Sequence, residues 1–294
     1  MTDERNPGGA FDVAFIGRAN IDLTVHVPHR ARPGRTVFGS ALTAGPGGKS
    51  LNQAIATARR GGRACLVANL GADTWGHQIR AALVDAGVDT RHLTLIPDVT
   101  TGAAIIEVTP DGESYITLAR SPATELNAHD IRRTVTSLDT QAVVVQLDLP
   151  PGPVGEVLQH RPAPLVVGNL VPHTDLDVAL LEHLDALVVN EHEAAAILHT
   201  APDDPLAAAG ALRRLGIGTV VVTAGSHGAA FAGPGVSGRV PAPAVPVVDT
   251  TGAGDAFLGS LVLDLARGMP LAQAVTTAVT VGSQTVQHRG TDAP

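Results

Sequence analysis

Short apolar runs that alternate with helical segments fill the middle of this chain, and this alternation constrains the fold more than any other feature. The apolar runs are Ala142–Leu147, Leu165–Val167, Ala186–Val189 and Val220–Thr223. The Ala/Leu-rich segments with helical spacing are Pro153–His160, Asp177–His183, Glu191–Leu198 and Asp204–Leu215. Strands buried on both faces read as continuous apolar runs, and helices between them cover a parallel sheet. The sequence therefore predicts an α/β fold, a three-layer α/β/α body with a mostly parallel central sheet.

The first part of the chain continues the same pattern. Phe11–Gly17 and Ala64–Leu70 read as buried strands, and Ser50–Arg60 and Trp75–Ala86 have helical spacing. No linker separates these segments from the rest of the chain. We therefore predict a single domain over residues 1–294.

Two other segments alternate apolar and polar residues instead. Asp22–Val27 and Thr36–Thr43 read as half-exposed strands, and Thr100–Leu118 contains two more. The turn Pro110-Asp111-Gly112 inside the last segment is typical of a hairpin. Because such strands do not fit a buried parallel sheet, we predict a small β-sheet lid. Its strands would come from about residues 22–44 and 100–119.

Composition and charge exclude several classes of protein. Hydrophobic residues make up 44% of the chain, which is ample for a packed core, and the formal net charge is −8. Sequence-blind binding to nucleic acid needs a basic stripe, so we do not expect it here. Cys65 is the one cysteine, which excludes an internal disulfide framework and suits a reducing cytoplasm. No apolar run reaches the roughly 18 residues of a membrane span and the N-terminus has no apolar leader segment, so we expect neither anchor nor signal peptide.

The segment Val247–Phe257 is the strongest candidate for a phosphate site. It starts with an apolar strand end, Val247-Val248, passes through the turn Gly252-Ala253-Gly254 and leads into a predicted helix, Phe257–Arg267. Backbone N–H groups at the start of such a helix bind anions. Asp255 lies beside this predicted phosphate site, where a base that accepts a hydroxyl proton is needed. The plain alternative is an acidic residue that the helix dipole stabilises.

The segment Gly45–Asn52 carries Lys49, the only lysine of the chain. Its GPGGKS stretch is similar to the P-loop pattern GxxxxGK[ST], although the first glycine of that pattern falls at Thr43. Ala142–Asp148 would be the matching apolar strand that ends in an acid. A P-loop NTPase that couples hydrolysis to a partner protein is therefore one alternative. A flexible turn before a helix is the plain one.

Polar residues also follow two of the predicted strands. Asn190-Glu191-His192-Glu193 comes directly after Ala186–Val189. The carboxyl ends of parallel strands face the crevice in which α/β sheets bind ligands. Asn190 and Glu193 would equally form an ordinary helix capping box. The small residues after the next strand, against which a nucleotide could lie, are Thr223, Gly225, Ser226 and Gly228.

Four segments of the chain resemble the motifs of the ribokinase-type (PfkB) carbohydrate kinases. They are GPGGKSLNQAIATARRG at 45–61, GADTWG at 71–76, NEHE at 190–193 and DTTGAGDAF at 249–257. One such motif would be weak evidence, but four in order over nearly the whole chain are specific. The resemblance implies a ribokinase-like fold, an α/β body with a β-sheet lid, in agreement with the pattern of strands and helices.

The resemblance implies ATP-dependent phosphorylation of the primary hydroxyl of a small sugar, with D-ribose at O5 as the expected substrate. Another sugar or a nucleoside, and a non-catalytic sugar sensor, remain alternatives. Asp255 matches the family's catalytic base, and Gly252, Ala253 and Gly254 match its anion hole. The sugar-binding residues that the resemblance implies are Asn20, Asp22, Gly47, Gly48, Lys49, Asn52 and Asp148. The nucleotide-binding residues that it implies are Asn190, Glu193, Thr223, Gly225, Ser226, Gly228 and Gly254.

The resemblance also implies Mg²⁺, ordered through water near Glu193, and K⁺ beside the anion hole. The cation ligands that it implies are Glu193, Asp249, Thr251, Thr285, His288 and Gly290. Three positions depart from the family pattern. Asp148 replaces a longer Glu, Leu51 replaces a smaller Ala, and Pro294 replaces a Ser of the K⁺ site. The expected partners are the sugar and a second copy paired through the lid, with no nucleic acid and no membrane.

Overall fold

Two sheets make up the β-structure of the described chain, a central one of nine strands and a separate one of four. The computed structural model describes residues 10–169, 178–200, 202, 204–288 and 290. Within these ranges, no helix has the length and apolar character needed to cross a membrane. The strands of the central sheet, along the chain, are β1 Phe11–Ile16, β4 Ala64–Gly71, β5 Leu93–Ile96, β8 Thr140–Gln146, β9 Leu165–Asn169, β10 Ala186–Asn190, β11 Thr219–Thr223, β12 Ala229–Gly233 and β13 Val236–Val240.

The central sheet is parallel except at one edge. Its order is β13-β12-β11-β10-β9-β8-β1-β4-β5, and only β12 and β13 run antiparallel to their neighbours. β1 lies between β8 and β4, so the chain builds the sheet outward from β1 in two directions. Such a reversal of strand order opens a crevice at the carboxyl ends of the strands. The predicted α/β class and mostly parallel sheet are confirmed.

Eight α-helices in the described ranges cover the two faces of this sheet. They are α1 Lys49–Arg59, α2 Thr74–Asp85, α3 Ala128–Val135, α4 Pro151–His160, α5 Glu191–Leu198, α6 Pro205–Arg213, α7 Ala253–Ala266 and α8 Leu271–Thr285. Successive strand residues point to opposite faces. Ala14 and Ile16 of β1 therefore pack with α3 to α6, whereas Val13 and Phe15 pack with α1, α2, α7 and α8. The predicted helix Asp177–His183 is a 3-10 helix over Val178–His183, and Asp177 lies outside the described residues.

The second sheet has the order β3-β2-β6-β7. Its strands are β2 Asn20–His26, β3 Thr43–Gly47, β6 Ala103–Val108 and β7 Ser114–Ala119. β6 and β7 form the hairpin that the PDG turn predicts. β2 pairs with β3 on one side and with β6 on the other, so both predicted segments join in one sheet.

The predicted strand Thr36–Thr43 is wrong. Residues 36–42 lie outside the strands, and β3 starts at Thr43 and runs through Gly45-Pro46-Gly47, which the sequence suggested as a loop. The pairing of β3 with β2 decides these bounds, because Thr43 lies opposite Thr24 and Gly47 lies opposite Asn20. Pairing across the chain overrides the local alternation of residues.

The predicted strand end at Val247-Val248 is wrong too. These side chains are 64% and 55% exposed, and the segment belongs to no strand. The backbone N–H groups of Val248 and Asp249 donate instead to the carbonyl of Val286, just after α8. A carbonyl at the end of α8 therefore accepts the hydrogen bonds that a neighbouring strand would accept in a sheet.

The GADTWG motif links the two sheets. Asp73 caps α2 through the N–H of Gly76, and its carboxylate also accepts from the backbone and hydroxyl of Thr101, just before β6. A Cβ at Gly71 would lie 2.0 Å from the carbonyl oxygen of Val99, so the backbones approach more closely than any other residue permits. The motif thereby fixes where the second sheet leaves the body.

Two further features of the fold concern solvent exposure. Large apolar side chains are exposed on the second sheet and on the connection before β3, namely Phe38, Leu42, Ile105, Tyr115, Ile116 and Leu118. By contrast, Cys65 in β4 is fully buried, and burial raises the pKa of its thiol well above the ordinary value.

Candidate active site

The polar residues of interest meet where the carboxyl ends of the central strands face the second sheet. Arg18 follows β1, Asp148 follows β8, Asn190 ends β10 and Thr223 ends β11. The strand order reverses at β1, which lies between β8 and β4. In α/β proteins, ligands bind at the carboxyl ends of the strands beside such a reversal.

Asp255 lies in the first turn of α7. Gly252 precedes the helix with a φ of 76°, a left-handed conformation that favours glycine. In the part of the chain that the structure describes, no side chain caps this end of α7, and a Cβ at Gly254 would meet no atom within 4 Å. The first N–H groups of a helix have no partner inside it. The start of α7 therefore offers open backbone donors beside a carboxylate.

Two neighbouring side chains of α1 hold the Asp255 carboxylate. Asn52 Nδ2 donates to Oδ2 at 3.2 Å, and Gln53 Nε2 donates to Oδ1 at 2.9 Å. Asp255 thus connects the GPGGKSLNQ motif, which contains Asn52, to the GAGD motif at the start of α7.

Asn20 and Asp22 lie at the start of β2, close to the same carboxylate. Asn20 Nδ2 donates to Asp22 Oδ1 at 2.6 Å. A Cβ at Gly47 would lie 2.1 Å from Asp22 Oδ2, and one at Gly48 would lie 2.8 Å from Asn20 Oδ1. The two glycines therefore leave the space that these side chains fill. Burial raises the pKa of Asp22, and the nearby Asp255 charge adds to the effect.

Arg18 and Glu125 are two charged residues of this region that sequence reasoning missed. Arg18 Nη1 donates to Asp148 Oδ2 at 2.5 Å, and Arg18 Nε and Nη2 donate to the two Glu125 oxygens at 3.0 and 2.8 Å. Burial raises the pKa of Asp148 although Arg18 favours its charged form. Asp148 thus keeps one carboxylate oxygen for another donor.

Lys49 is the first residue of α1, and it is exposed. Its charge favours the ionised forms of both Asp148 and Glu193, so it lies near both acidic groups. The preceding Gly45–Gly47 is paired in β3 and does not form the free loop of a P-loop. This geometry favours Lys49 as a sugar-binding residue over Lys49 as the lysine of a P-loop NTPase.

Asn190 and Glu193 form the capping box that the sequence offered as the plain alternative. Glu193 N donates to Asn190 Oδ1 at 2.8 Å, and Asn190 N donates to Glu193 Oε2 at 3.0 Å. Glu193 is 3% exposed, and burial raises the pKa of its carboxyl, with Lys49 opposing. Each side chain uses one oxygen in the cap and keeps further acceptor capacity.

The predicted nucleotide loop is the turn between β11 and β12. Gly225–His227 is an exposed 3-10 turn, and a Cβ at Gly225 would meet no atom within 4 Å. Gly228 has a φ of 89°, and a Cβ there would lie 2.0 Å from the carbonyl oxygen of Val240. Thr223 donates to the Val189 carbonyl at 3.4 Å. The turn is open on one side and closely packed on the other, with Ser226 exposed.

Asp249 accepts hydrogen bonds from two segments, the one that leads to Gly252–Gly254 and the one that follows α8. Its Oδ1 accepts from Thr251 N at 2.9 Å and its Oδ2 accepts from Gly290 N at 2.8 Å. Burial would raise the pKa of Asp249, but these backbone donors outweigh it and the pKa lies below its ordinary value. The Thr285 hydroxyl donates to the Val281 carbonyl, and the His288 N–H donates to the Thr285 carbonyl. Pro294 lies outside the described residues.

A family model described as pfkB family carbohydrate kinase matches residues 10–294. The chain belongs to this family. Three of its motifs, at 45–61, 190–193 and 249–257, come together near Asp255, and the fourth, GADTWG, links the two sheets. Membership also favours a kinase over the P-loop NTPase.

Relatives within the family agree on this class of reaction. The chain is 31% identical to a ribokinase of Schizosaccharomyces pombe, over 95% of this chain and 93% of the relative. It is 29% identical to a deoxyribokinase of Salmonella typhi, over 95% and 94%. A solved structure of a ribokinase from Cryptococcus neoformans in complex with ADP is similar at a TM-score of 0.82 and 31% identity, over 96% and 95%. The chain is thus a carbohydrate kinase with the ribokinase-like fold.

Proposed function

We propose that this kinase transfers the γ-phosphoryl group of ATP to the O5 hydroxyl of D-ribose and so forms D-ribose 5-phosphate. One observation carries the proposal. The Asp255 carboxylate lies in the first turn of α7, where no side chain of the described residues caps the helix, and its charge acts on the Asp22 carboxyl of the Asn20–Asp22 pair. Relatives of 31% identity named ribokinase support ribose as the sugar.

In this proposal Asp255 acts as the general base. Its carboxylate takes the O5 proton, O5 forms the new bond to the γ-phosphorus, and the bond from that phosphorus to the β,γ-bridging oxygen breaks. ADP leaves with that electron pair, and the proton stays on Asp255 until solvent removes it. The N–H groups of Gly252 and Gly254 would stabilise the charge that develops on the transferred group, whereas the N–H of Ala253 donates to the Thr250 carbonyl at 3.3 Å.

The residues present fit a magnesium–nucleotide complex. Glu193 keeps an acceptor oxygen beyond its cap and lies near Lys49 and Asp255. Carboxylates that bind through water suit Mg²⁺, which retains several of its waters. When bound, Mg²⁺ supplies charge neutralisation on the phosphate oxygens. Asn190, Glu193 and the 223–228 turn would hold the nucleotide on this side of Asp255.

The sugar is held on the other side. Asn20, Asp22 and Asn52 supply amide donors and a carboxylate acceptor suited to adjacent hydroxyls, and Asp148 supplies the oxygen that Arg18 leaves free. Lys49 completes this set at the start of α1. The second sheet would close over the sugar as the lid, because an open site lets water take the phosphoryl group.

Replacing Lys49 with Ala should raise the KM for sugar more than the KM for ATP. The reason is that Gly45–Gly47 is paired in β3 and does not form a phosphate-binding loop before Lys49, whereas in a P-loop enzyme the lysine would touch the β- and γ-phosphates. Steady-state kinetics with each substrate varied in turn measure both constants. Loss of ATP binding with sugar binding intact would favour the P-loop alternative.

Exchanging K⁺ for a large organic cation at constant ionic strength should lower the rate. Asp249 is held ionised at the anion loop, and with the carbonyls of Thr251, Thr285, His288 and Gly290 it offers the oxygen ligands that K⁺ prefers. A cation here would fix the direction of the amides after Thr251. An unchanged rate would leave Asp249 as a turn residue only.

The proposal includes a homodimer in the cytoplasm, paired through the second sheet. The exposed apolar residues Ile116 and Leu118 lie on one face of β7, and such side chains are the kind that a protein partner covers. Sedimentation equilibrium measures the assembly state, and a monomer at micromolar concentration would contradict this part.

The test of the reaction is sugar-dependent ADP release over a panel of pentoses, hexoses and nucleosides. The highest kcat/KM is expected with D-ribose. A higher kcat/KM with fructose or adenosine would instead indicate a fructokinase or an adenosine kinase. ADP release that does not depend on any sugar would overturn the proposal.

A further inference from the structure

Gln53 is a buried residue of the site to which none of the motif roles applies. Gln53 is 1% exposed, and its side chain makes three hydrogen bonds. Nε2 donates to Asp255 Oδ1 at 2.9 Å and to Asn169 Oδ1 at 3.1 Å, while Oε1 accepts from Gln146 Nε2 at 2.8 Å. Gln146 ends β8 and Asn169 ends β9. The amide of Gln53 therefore ties Asp255 to the central sheet.

A backbone carbonyl fixes the direction of these hydrogen bonds. The carbonyl of Val188 can only accept, so the amide nitrogen of Asn169 must face it, and the distance is 2.8 Å. The Asn169 side-chain oxygen then faces Gln53 and accepts a hydrogen bond from it. Of the two ends of the Gln53 amide, the nitrogen is the one that can donate. The second N–H of that nitrogen points at Asp255, and Gln146 donates to the remaining oxygen. Gln53 thus has one possible orientation, with a donor toward Asp255.

This donor has two consequences for the carboxylate. With Gln53 on Oδ1 and Asn52 on Oδ2, the carboxylate cannot rotate without losing a hydrogen bond. The amide is also neutral, so it orients the carboxylate without placing a positive charge beside it.

We propose that Gln53 is the positioning residue of Asp255, oriented by the chain Val188 carbonyl–Asn169–Gln53. The proposal rests on the assignment of Asp255 as the base. The competing role for Gln53 is purely structural, since α1 packs against α7 and a buried amide in that interface also contributes to stability. The two roles differ in what they do to the pH dependence of turnover.

The decisive variant is Gln53→Glu. It keeps the length of the side chain and still accepts from Gln146, but it replaces the donor with a second carboxylate facing Asp255. Two carboxylates at such a distance do not ionise together. We expect the acid limb of the kcat–pH profile to move up by roughly one unit or more. At neutral pH we expect kcat to fall about tenfold to a hundredfold.

A second variant and a control complete the design. Gln53→Met keeps the volume without donor or charge, and we expect kcat to fall about tenfold while KM for ATP stays within about twofold. It serves in place of Gln53→Glu if that chain does not fold. The control is Thr57→Val, because Thr57 is equally buried on α1. Its hydroxyl donates to the backbone carbonyls of Gln53 at 2.9 Å and of Gly259 in α7 at 3.2 Å, and it touches neither the Gln53 side chain nor Asp255. We expect a lower melting temperature and an unmoved pH profile.

The outcomes separate this inference from the proposed function. If Asp255→Asn is inactive while Gln53→Glu and Gln53→Met keep the pH profile and kcat of the Thr57→Val control, the positioning role alone is wrong. If Asp255→Asn is as active as the unaltered chain, the base assignment fails, and the positioning role fails with it. A shifted acid limb in Gln53→Glu, absent in Thr57→Val, supports the proposal.

Discussion

Asp255→Asn should fold and bind ATP normally, and its kcat should fall by roughly 10²–10⁴, the usual contribution of a positioned base. The fold is expected to tolerate the change because the Asn52 side-chain oxygen has no hydrogen-bond partner among the described residues, so the Asn52 amide can turn and accept from the new amide. Stopped assays of ADP release measure kcat, and calorimetric titration measures ATP binding.

The matched control for this variant is Asp130→Asn. Asp130 is the third residue of α3, as Asp255 is of α7, and it is exposed and far along the chain from the site motifs. Both changes remove an acidic residue from a first helical turn, which costs about 0.5 kcal/mol in stability. Only Asp255→Asn should affect turnover. Activity within about threefold of the unaltered enzyme would reduce Asp255 to a helix-start charge.

Asp22→Ala should lose most of the sugar affinity, and the intact enzyme should prefer ribose over 2-deoxyribose. A buried site built to hydrogen-bond a hydroxyl rejects an analogue without it, because its own polar groups are left unpaired. Asp22 is such a group, since it is enclosed by Gly47 and bonded to Asn20. We expect kcat/KM to fall about a hundredfold or more in each comparison.

The same carboxylate predicts a pH dependence for the KM of the sugar. Burial and the nearby Asp255 charge raise the pKa of Asp22, so it takes up a proton at a higher pH than an ordinary Asp. A protonated carboxyl is a weaker acceptor for a sugar hydroxyl. The KM for sugar should therefore rise as the pH falls through the raised pKa, and Asp22→Asn should lose this dependence.

The control for Asp22 is Thr24→Ala, two residues along β2 and on the same face of the strand. It should leave the sugar KM unchanged. Equal kcat/KM for ribose and 2-deoxyribose would contradict the role of Asp22, and would place the chain beside its relative named deoxyribokinase.

The body of the fold was predictable because burial leaves a local pattern. Apolar runs such as Val220–Thr223 lie in strands covered on both faces. Each residue of such a strand is buried, so each position favours an apolar side chain. The GADTWG and GAGD glycines were informative for a similar reason, since each marks a close approach of backbone or an open helix start.

The wrong predictions concern segments whose conformation depends on a distant partner. The alternation of Thr36–Thr43 resembles a strand, but β2 offers its pairing edge to Thr43–Gly47 instead. Val247-Val248 is apolar and ends at a Gly-rich turn, yet its backbone partner is Val286 at the end of α8. Neither partner is visible within a short window of sequence.

The residues that sequence reasoning missed act through contacts across the chain. The contacts of Arg18 are with Asp148 and Glu125, which lie more than a hundred residues away along the chain. Gln53 has no special spacing to Asn169 or Asp255. A charged residue directly after a buried strand was the one available signal for Arg18.

Cys65 gives this enzyme a practical advantage for spectroscopy. It is the only thiol of the chain, and it is enclosed in β4 with a raised pKa, so thiol reagents should leave the native protein unlabelled. A single cysteine introduced on β7 of the second sheet by Tyr115→Cys would then carry a fluorophore or spin label without background labelling of Cys65. Distances from such a label would report directly how far that sheet moves when sugar and nucleotide bind.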